Sequence, residues 1–509
     1  MTSRRKASSA NYFFGLTQVF IVTLNGIILV PFYLQQMSVA LYGAWLAAGS
    51  ILTVLAVLEL GIGTVLTHQL AGLLVKNDLK GYAIAAFTGA LGILPAGGLL
   101  TLVGIVLAFM MPTWFQLNGI EASQLTEAVI LASLAAGLNI IAQTWGALPQ
   151  AVQRTVGMGI VLNASSIVWI TVTVMGLLAR LGVIALGLGL LARALFLSIG
   201  YLALIIHHWR AMHAPWPVFS RSVLLDLVRR SAPVFLSRIG GAAGQNAEPA
   251  ITALVISPSA AAVLSISSRM AVVVRMVVGP IGTAVFASLS HVHASGAERT
   301  HEVLKMLFFL SNLLLAIGLG TTMAFNGAII SLWVGPDMNG GDALTLLIVL
   351  TTALGVITSL NMNFLQSMGH FRDTSLIDIA EIPLRLLLMV VFGAWIGING
   401  IVLASLMTTL ALKGWAYPRL LGRSLQIGNR GAALLVTAGL PYLGISVGLA
   451  IAWLRSAPTA VNWPQLGVQV SLYILVIITL ILVTSREARR MAATLLTPGL
   501  TKFRRTLNR

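Results

Sequence analysis

Five arginines lie inside segments that otherwise consist mainly of apolar residues. They are Arg193, Arg238, Arg269, Arg275 and Arg385. A charge near the centre of a bilayer is costly, and such residues usually face a cavity or a partner and mark a functional path. A guanidinium forms charge-assisted, often bidentate hydrogen bonds with phosphate oxygens. These five residues are therefore candidates for binding an anionic substrate in a cavity.

Four carboxylates lie in segments of the same kind, and they are candidates for coupling to an ion or a proton. They are Glu59, Glu248, Asp378 and Glu381. The spacing of Asp378, Glu381 and Arg385 places all three on one stripe of a helix. Two interpretations stay open for this stripe. Glu381 and Arg385 form a structural ion pair, or protonation of Glu381 releases Arg385 for an anionic group of the substrate.

The other intramembrane charges also have structural alternatives. Arg269 and Arg275 have no carboxylate within one helical turn. They point about 120° apart on a helix, so they could line a wide cavity or pair with another helix. Arg193 could pair with Glu59 across helices, which would make both residues structural. Arg238 lies in a polar segment whose alternative role is hydrogen bonding between helices.

The composition indicates a membrane protein with many spans. Of the 509 residues, 58% are hydrophobic and 9% are charged, whereas soluble domains carry about 25% charged residues. About 20 apolar residues cross a bilayer, and this rule predicts an all-α integral membrane protein with fourteen transmembrane helices. The predicted limits are 11–35, 44–74, 82–110, 125–148, 158–179, 183–206, 230–255, 259–288, 305–332, 343–367, 376–396, 398–416, 433–454 and 466–485.

The distribution of lysine and arginine predicts the orientation. Outside the predicted spans, these residues lie on the same side as both termini, except for Arg180 and Arg455. Basic loops are typical of the cytoplasmic side, so we expect both termini in the cytoplasm. This asymmetry, together with contacts to anionic lipids, accounts for most of the net charge of +17. Nucleic acid is not an expected partner, since the basic residues are scattered along the chain.

An internal repeat predicts two similar halves. Leu148–Arg154 precedes the fifth span as Gln366–Arg372 precedes the eleventh, and Gly182 opens the sixth span as Gly397 opens the twelfth. Two six-helix halves of equal orientation should surround a central cavity, followed by two further helices. The predicted division is 1–206 for the N-terminal half, 207–229 for a cytoplasmic linker, 230–416 for the C-terminal half, 417–486 for helices thirteen and fourteen, and 487–509 for a basic cytoplasmic tail.

The sequence argues against an enzyme and against a metal or cofactor site. The chain has no cysteine, and the longest predicted outer loops, 111–124 and 455–465, hold one acid and one base, Glu121 and Arg455. These loops offer no pair of nucleophile and base. The His207–His208 pair lies at the predicted end of a span, where we expect it to contact the membrane interface.

Five short motifs follow one another along the chain. They are Val30–Leu34, Tyr42–Trp45, Leu58–Gly63, Gly279–Pro280 with Ala287–Ser290, and Leu365–Asp373. In their order and spacing they resemble the polysaccharide-transporter branch of the multidrug/oligosaccharidyl-lipid/polysaccharide (MOP) flippase superfamily, the branch of O-antigen and exopolysaccharide flippases. The resemblance covers roughly residues 11–420.

This resemblance implies a flippase that moves an undecaprenyl-pyrophosphate-linked oligosaccharide from the inner to the outer leaflet of the bacterial cytoplasmic membrane by alternating access. The implied partners are the lipid-linked oligosaccharide, membrane lipids, H⁺ or Na⁺, and the polymerase and glycosyltransferases of the same pathway. In this interpretation the five arginines bind the pyrophosphate, and the four carboxylates couple transport to H⁺ or Na⁺.

Two alternatives to this implied substrate stay open. A lipid II flippase also has fourteen helices, but the arginine–aspartate signature near its first helix is missing here, because Asn11–Pro31 contains no charge. A multidrug or cation antiporter of the same superfamily fits less well, since a cavity with five arginines would repel a cation.

Overall fold

The computed structural model describes residues 14–490 except 16, 19, 22–24, 60, 153–154, 283–296 and 457–459, and in this part every regular element is helical. The side chains of 57, 58, 155, 233, 234, 236–245 and 297–299 also lie outside the description. The α-helices are α1 (Val30–Gln36), α2 (Val39–Leu55), α3 (Ile62–Val75), α4 (Leu79–Gly92), α5 (Leu94–Trp114), α6 (Gly119–Trp145), α7 (Ala147–Ala151), α8 (Thr155–Leu178), α9 (Ile184–Ala211), α10 (Arg221–Val255), α11 (Pro258–Ser267), α12 (Arg269–Val278), α13 (Ala297–Trp333), α14 (Gly341–Ser367), α15 (Phe371–Ile396), α16 (Ile398–Ala411), α17 (Lys413–Ser424), α18 (Gly428–Val436), α19 (Leu440–Ser456) and α20 (Trp463–Thr484).

Most predicted spans correspond to long apolar helices. In the described ranges, nine continuous helical stretches are long and apolar enough to cross a membrane, and two bent helix pairs raise the number to eleven. These eleven coincide with predicted spans three to six and eight to fourteen. The all-α integral membrane fold is therefore confirmed, while the number of fourteen spans stays a prediction.

The remaining three predicted spans differ from simple apolar helices. The first lies partly outside the described residues. The second, predicted as one helix over 44–74, is divided into α2, a 3₁₀ turn over Ala56–Glu59, and α3. The division occurs where Gly61 takes a left-handed conformation, with φ of 71°, which a glycine adopts without steric strain. The seventh lies in α10, whose 35 residues include several charges.

Spans eight and thirteen are interrupted as well. Span eight consists of α11 and α12, which are separated at Ser268. Span thirteen consists of α18 and α19, and Gly439 between them has a φ of 82°. The Asn312 side chain of α13 donates hydrogen bonds to the carbonyl oxygens of Val436 (3.1 Å) and Ala438 (2.8 Å). It thereby satisfies carbonyl groups that the interruption removes from the helical ladder.

The chain divides into two compact units. The first contains residues 1–266 and 371–413, and the second contains residues 267–370 and 414–509. The predicted C-terminal half, 230–416, is thus shared between them. The reason is packing, because α10 lies against both α2 and α15. The predicted pseudo-repeat of two six-helix halves around a cavity stays a prediction.

Small residues bring helices close together in the first unit. A Cβ atom added to Gly187 of α9 would lie 2.7 Å from the Ala128 carbonyl oxygen of α6, and one added to Gly189 would lie 2.0 Å from Thr173 Oγ1 of α8. Close approach at glycine is a common mode of helix association in membranes. The glycines that follow Gly182 therefore serve helix packing.

Aromatic and hydroxyl groups join the helices of the second unit. The rings of Phe325, Trp453 and Tyr473 meet edge to face, with centroids 5.5–5.9 Å apart. Tyr473 of α20 donates a hydrogen bond to the Ser446 carbonyl oxygen (2.7 Å), and the Ser446 hydroxyl of α19 donates to the Ala316 carbonyl oxygen of α13 (2.7 Å). These contacts hold α19 and α20 on α13.

Candidate functional site

A cluster of four charged side chains lies in the hairpin formed by α15 and α16. Gly397 connects the two helices with a φ of 67° and a ψ of −143°, a region of backbone conformation that is almost confined to glycine. The tight connection makes the helices antiparallel neighbours, and α17 continues α16 after Leu412. Asp378 and Glu381 of α15 are 9% and 3% exposed.

The members of this charge cluster are Asp378, Glu381, Arg385 and Lys413, joined by the hydroxyl of Thr409. Lys413 Nζ lies 2.8 Å from Asp378 Oδ1 and 2.6 Å from Glu381 Oε2. Arg385 donates hydrogen bonds to Glu381 Oε1 and to Thr409 Oγ1. The Thr409 hydroxyl in turn donates to Glu381 Oε1 (2.8 Å). Two carboxylates thus face two cations, and the charges cancel.

Electroneutrality explains how these charges tolerate burial. A buried charge is strongly unfavourable unless it is paired and hydrogen-bonded. The pair of Glu381 and Arg385 is present, as expected from its i,i+4 spacing. Whether this pair also acts as a protonation switch stays a hypothesis.

Sequence reasoning missed Lys413, which lies near the predicted cytoplasmic end of span 398–416 and was not a candidate site residue. The register of the hairpin contains the signal that could have identified it. Glu381 and Lys413 are each 16 residues from Gly397, and Arg385 and Thr409 are each 12 residues from it. In two antiparallel helices joined at a single glycine, residues at equal distances from the turn lie at the same level.

A third carboxylate reaches the same hairpin from α10. The Ser405 hydroxyl of α16 donates a hydrogen bond to Glu248 Oε1 at 2.7 Å, and Ser405 is 1% exposed. Ser405 lies one helical turn before Thr409. Three of the four candidate coupling residues, Glu248, Asp378 and Glu381, therefore have partners on the segment Ile398–Lys413.

The two arginines of α12 are placed differently. Arg269 is the first residue of α12 and is half-buried, whereas Arg275 lies in the last turn and is exposed. The Arg269 Nε atom is buried and meets no hydrogen-bond acceptor among the described residues. Neither guanidinium forms an ion pair with a carboxylate in the part of the chain that the structure describes.

Hydrogen bonds fix the beginning of α12. The Asn326 amide of α13 donates to the Ser267 carbonyl oxygen (3.0 Å) and to Thr345 Oγ1 of α14 (3.2 Å). The Gly340 backbone N–H donates to Ser267 Oγ (3.2 Å). These contacts hold the residues that precede Arg269, so the interruption of span eight is a defined structure.

Two of the remaining candidate residues, Arg193 and Glu59, have contacts in the described part of the chain. The Arg193 guanidinium of α9 lies 5.5 Å from the centre of the Trp169 ring of α8, a cation–π arrangement. Glu59 ends the 3₁₀ turn, and its Oε1 atom would lie 3.0 Å from a Cβ atom added to Gly63. Among the contacts that the structure describes for Arg193, there is no pair with Glu59. The side chain of Arg238 lies outside the described residues.

The arrangement of helices is shared with solved membrane transporters. The lipid II flippase MurJ in its inward closed conformation is similar with a TM-score of 0.64, 11% sequence identity, and coverage of 94% of this chain and 98% of that chain. An inward-facing multidrug resistance MATE family transporter of the MOP superfamily gives a TM-score of 0.60, 11% identity, and coverage of 87% and 96%. A mutant of the Vibrio cholerae MATE transporter VcmN gives a TM-score of 0.57 and 14% identity, with coverage of 85% of this chain and 100% of that chain. The chain shares the fold of these transporters.

The sequence narrows this class to one family. The profile of the family described as "Polysaccharide biosynthesis protein" matches residues 10–293, which is more than half of the chain. The chain therefore belongs to the polysaccharide biosynthesis protein family, and the resemblance found in its motifs is confirmed. No curated protein sequence matches the chain significantly.

Proposed function

We propose that the protein is a flippase that moves an undecaprenyl-pyrophosphate-linked oligosaccharide from the inner to the outer leaflet of the bacterial cytoplasmic membrane by alternating access. It acts as a transporter and carries out no catalysis. Both termini face the cytoplasm in this proposal, and the polymerase and glycosyltransferases of an O-antigen or exopolysaccharide pathway are its functional partners.

One observation supports an anionic substrate: α12 has two arginines, and neither forms an ion pair with a described carboxylate. Arg385 is already neutralised by Glu381, and Arg193 rests on an aromatic ring. The Arg269 Nε donor, like those of Arg193 and Arg385, is buried without an acceptor among the described residues, and a buried unsatisfied donor is unfavourable. A pyrophosphate oxygen would supply the missing acceptor, and its charge would balance the two cations.

Family and fold support the same class of substrate. The family name refers to polysaccharide biosynthesis, and one solved protein of similar fold is a flippase for lipid II. A pyrophosphate-linked oligosaccharide on a lipid combines a phosphate group, sugars and a membrane anchor. Such a substrate suits a membrane-spanning protein with the two arginines of α12 better than an organic cation does, since the arginines would repel a cation.

Coupling to H⁺ or Na⁺ is part of this proposal. Glu59 and Glu248 are candidates, and so is the charge cluster through Asp378 and Glu381. Protonation of Glu381 would remove the charge that holds Arg385 and Lys413 together. The released Arg385 would then become a further phosphate ligand, as the switch hypothesis requires.

Thermal unfolding of the purified protein tests the substrate class. We expect an undecaprenyl-pyrophosphate-linked oligosaccharide to raise the Tm, because a ligand that binds only the folded state stabilises it. The double variant Arg269→Gln/Arg275→Gln should lose this increase, and the matched variant Arg180→Gln/Arg455→Gln should keep it. An equal Tm increase with a neutral glycolipid, or a larger one with a lipophilic cation, would contradict the proposal.

A further inference from the structure

The end of the helical stretch Ile398–Ser424 carries an aromatic residue and two arginines on one face. Trp415, Arg419 and Arg423 of α17 are spaced four residues apart and lie on one stripe. Trp415 is 57% exposed and Arg423 is exposed. The opposite face of α17 is buried through Tyr417 and Leu421. The stripe therefore points away from the protein.

A cation–π contact organises this stripe. The Arg419 guanidinium carbon lies 3.7 Å from the centre of the Trp415 ring, so the flat face of the guanidinium rests on the indole. The N–H groups at its edge stay available for a planar, two-point contact with phosphate oxygens. Stacking thus fixes the arginine in a geometry suited to a phosphate group.

The stripe lies in a part of the sequence without acidic residues. Between Glu381 and Glu487 the sequence contains no Asp or Glu. Glu487 pairs with Lys305, and the charge cluster contains Glu381. Within the part of the chain that the structure describes, no carboxylate pairs with Arg419 or Arg423. A further exposed arginine, Arg430, follows in α18, whose first residue packs on Gly422 of α17.

The position along the helix places the stripe at the membrane interface. At 1.5 Å per residue, Trp415 lies about 26 Å and Arg419 about 32 Å along the helix from Ile398. The hydrocarbon core of a bilayer is about 30 Å thick. With Ile398 at the opposite boundary of the hydrocarbon core, Trp415 would lie at the near boundary, where tryptophan is enriched, and the two arginines would lie at the depth of the lipid phosphates.

We propose that Trp415, Arg419 and Arg423 form a docking surface for the phosphate head group of an anionic membrane phospholipid. The half-buried Arg419 and the exposed Arg423, neither with a described acidic partner, complement such a lipid in charge, and their expected depth matches that of its head group. The surface lies outside the proposed substrate site, and it does not depend on which molecule the protein transports.

Fluorescence quenching tests the surface, because the chain has no cysteine. A fluorophore on Asn429→Cys, an exposed position beside the stripe, reports on lipids in reconstituted vesicles. Phosphatidylglycerol with a quencher on its head group should quench the fluorophore several-fold more than phosphatidylcholine at equal mole fraction. Added salt should reduce this preference, because it screens exposed charges.

Matched variants identify the residues involved. Arg419→Gln/Arg423→Gln should bring the ratio of quenching by phosphatidylglycerol to quenching by phosphatidylcholine close to one. The control Arg180→Gln/Arg455→Gln, which removes two exposed arginines elsewhere, should leave this ratio unchanged. Arg419→Lys/Arg423→Lys should keep part of it. Equal quenching by both lipids in the otherwise unmodified protein would overturn the proposal. Loss of the preference on addition of inorganic phosphate, when sodium chloride at the same ionic strength leaves most of it, would also overturn it, in favour of a site for free anions.

Discussion

The candidate arginines differ in what balances their charge. Arg385 belongs to an electroneutral cluster, and the Arg193 guanidinium lies against the Trp169 ring. Among the contacts that the structure describes, Arg269 and Arg275 have neither an ion pair with a carboxylate nor an aromatic partner. Sequence spacing could identify the pair of Glu381 and Arg385, because the two residues share a helix. Sequence spacing could not predict the contacts of the other arginines, because those contacts involve residues of other helices.

The first prediction concerns Lys413. Lys413→Met should reduce the free energy of unfolding by about 3 kcal/mol, because removal of one partner leaves a buried carboxylate without compensation. The matched change Lys305→Met removes an ion pair with Glu487 in which both side chains are about half exposed. This change should reduce the free energy by only about 0–1 kcal/mol. Unfolding of both purified variants in detergent measures the difference. Equal stability of the two variants would show that the charge cluster does not need Lys413.

Among the helices, the sequence predicted the apolar segments well and their interruptions poorly. Eleven of the predicted spans correspond to apolar helices or bent helix pairs. The breaks at Gly61, Ser268 and Gly439 were not predicted, because the average hydropathy of a window does not respond to a local change in backbone conformation. Each break is stabilised locally, by a left-handed glycine or by hydrogen bonds from a neighbouring helix.

The second prediction concerns the turn between α15 and α16. Gly397→Ala should destabilise the protein by about 1–3 kcal/mol, because alanine strongly disfavours the backbone conformation found there. Gly355→Ala is the control: this position lies in the middle of α14 with open space around it. The control should be neutral or stabilising by about 0.5–1 kcal/mol. Thermal unfolding distinguishes the two, and a harmless Gly397→Ala would mean that the hairpin register is not set by this turn.

The third prediction concerns the beginning of α12. Asn326→Leu removes the donor for the Ser267 carbonyl oxygen and for Thr345 Oγ1. Leaving such buried groups unsatisfied should reduce the free energy of unfolding by about 1–3 kcal/mol. A cysteine-directed label on Arg269→Cys should also become more accessible in this variant, because the break is no longer fixed. Unchanged labelling would argue against a positioning role of Asn326.

At the scale of the whole molecule, the sequence repeat and the packing describe different divisions. The repeat predicts halves at 1–206 and 230–416, whereas α10, α15 and α16 belong to the same compact unit as the N-terminal helices. A repeat reflects similarity between segments, and a compact unit reflects which helices touch in one conformation. Alternating access would change these contacts. The two six-helix halves therefore stay a proposal about which helices move together.

The fourth prediction concerns the predicted outer ends of α2 and α11. A Cβ atom added to Gly43 would lie 1.7 Å from the Pro258 carbonyl oxygen, so Gly43→Ala is incompatible with the packing seen here. Cysteines at residues 40 and 258 should crosslink readily in the otherwise unmodified protein and much less when Gly43→Ala is added. Gly49→Ala, on the same helix with open space around it, should leave crosslinking unchanged. Equal crosslinking in all three proteins would contradict the close packing of Gly43 against Pro258.

Transport by Arg275→Ala in reconstituted vesicles tests whether the arginines of α12 bind the pyrophosphate of a lipid-linked oligosaccharide. Membrane insertion should be almost unchanged, because the substitution removes a charge. Transport should fall about tenfold or more, since a charge-assisted hydrogen bond contributes about 1.5–3 kcal/mol. Arg275→Lys should restore it only partly, and Arg455→Ala should transport normally. Normal transport by Arg275→Ala at wild-type expression would contradict the account.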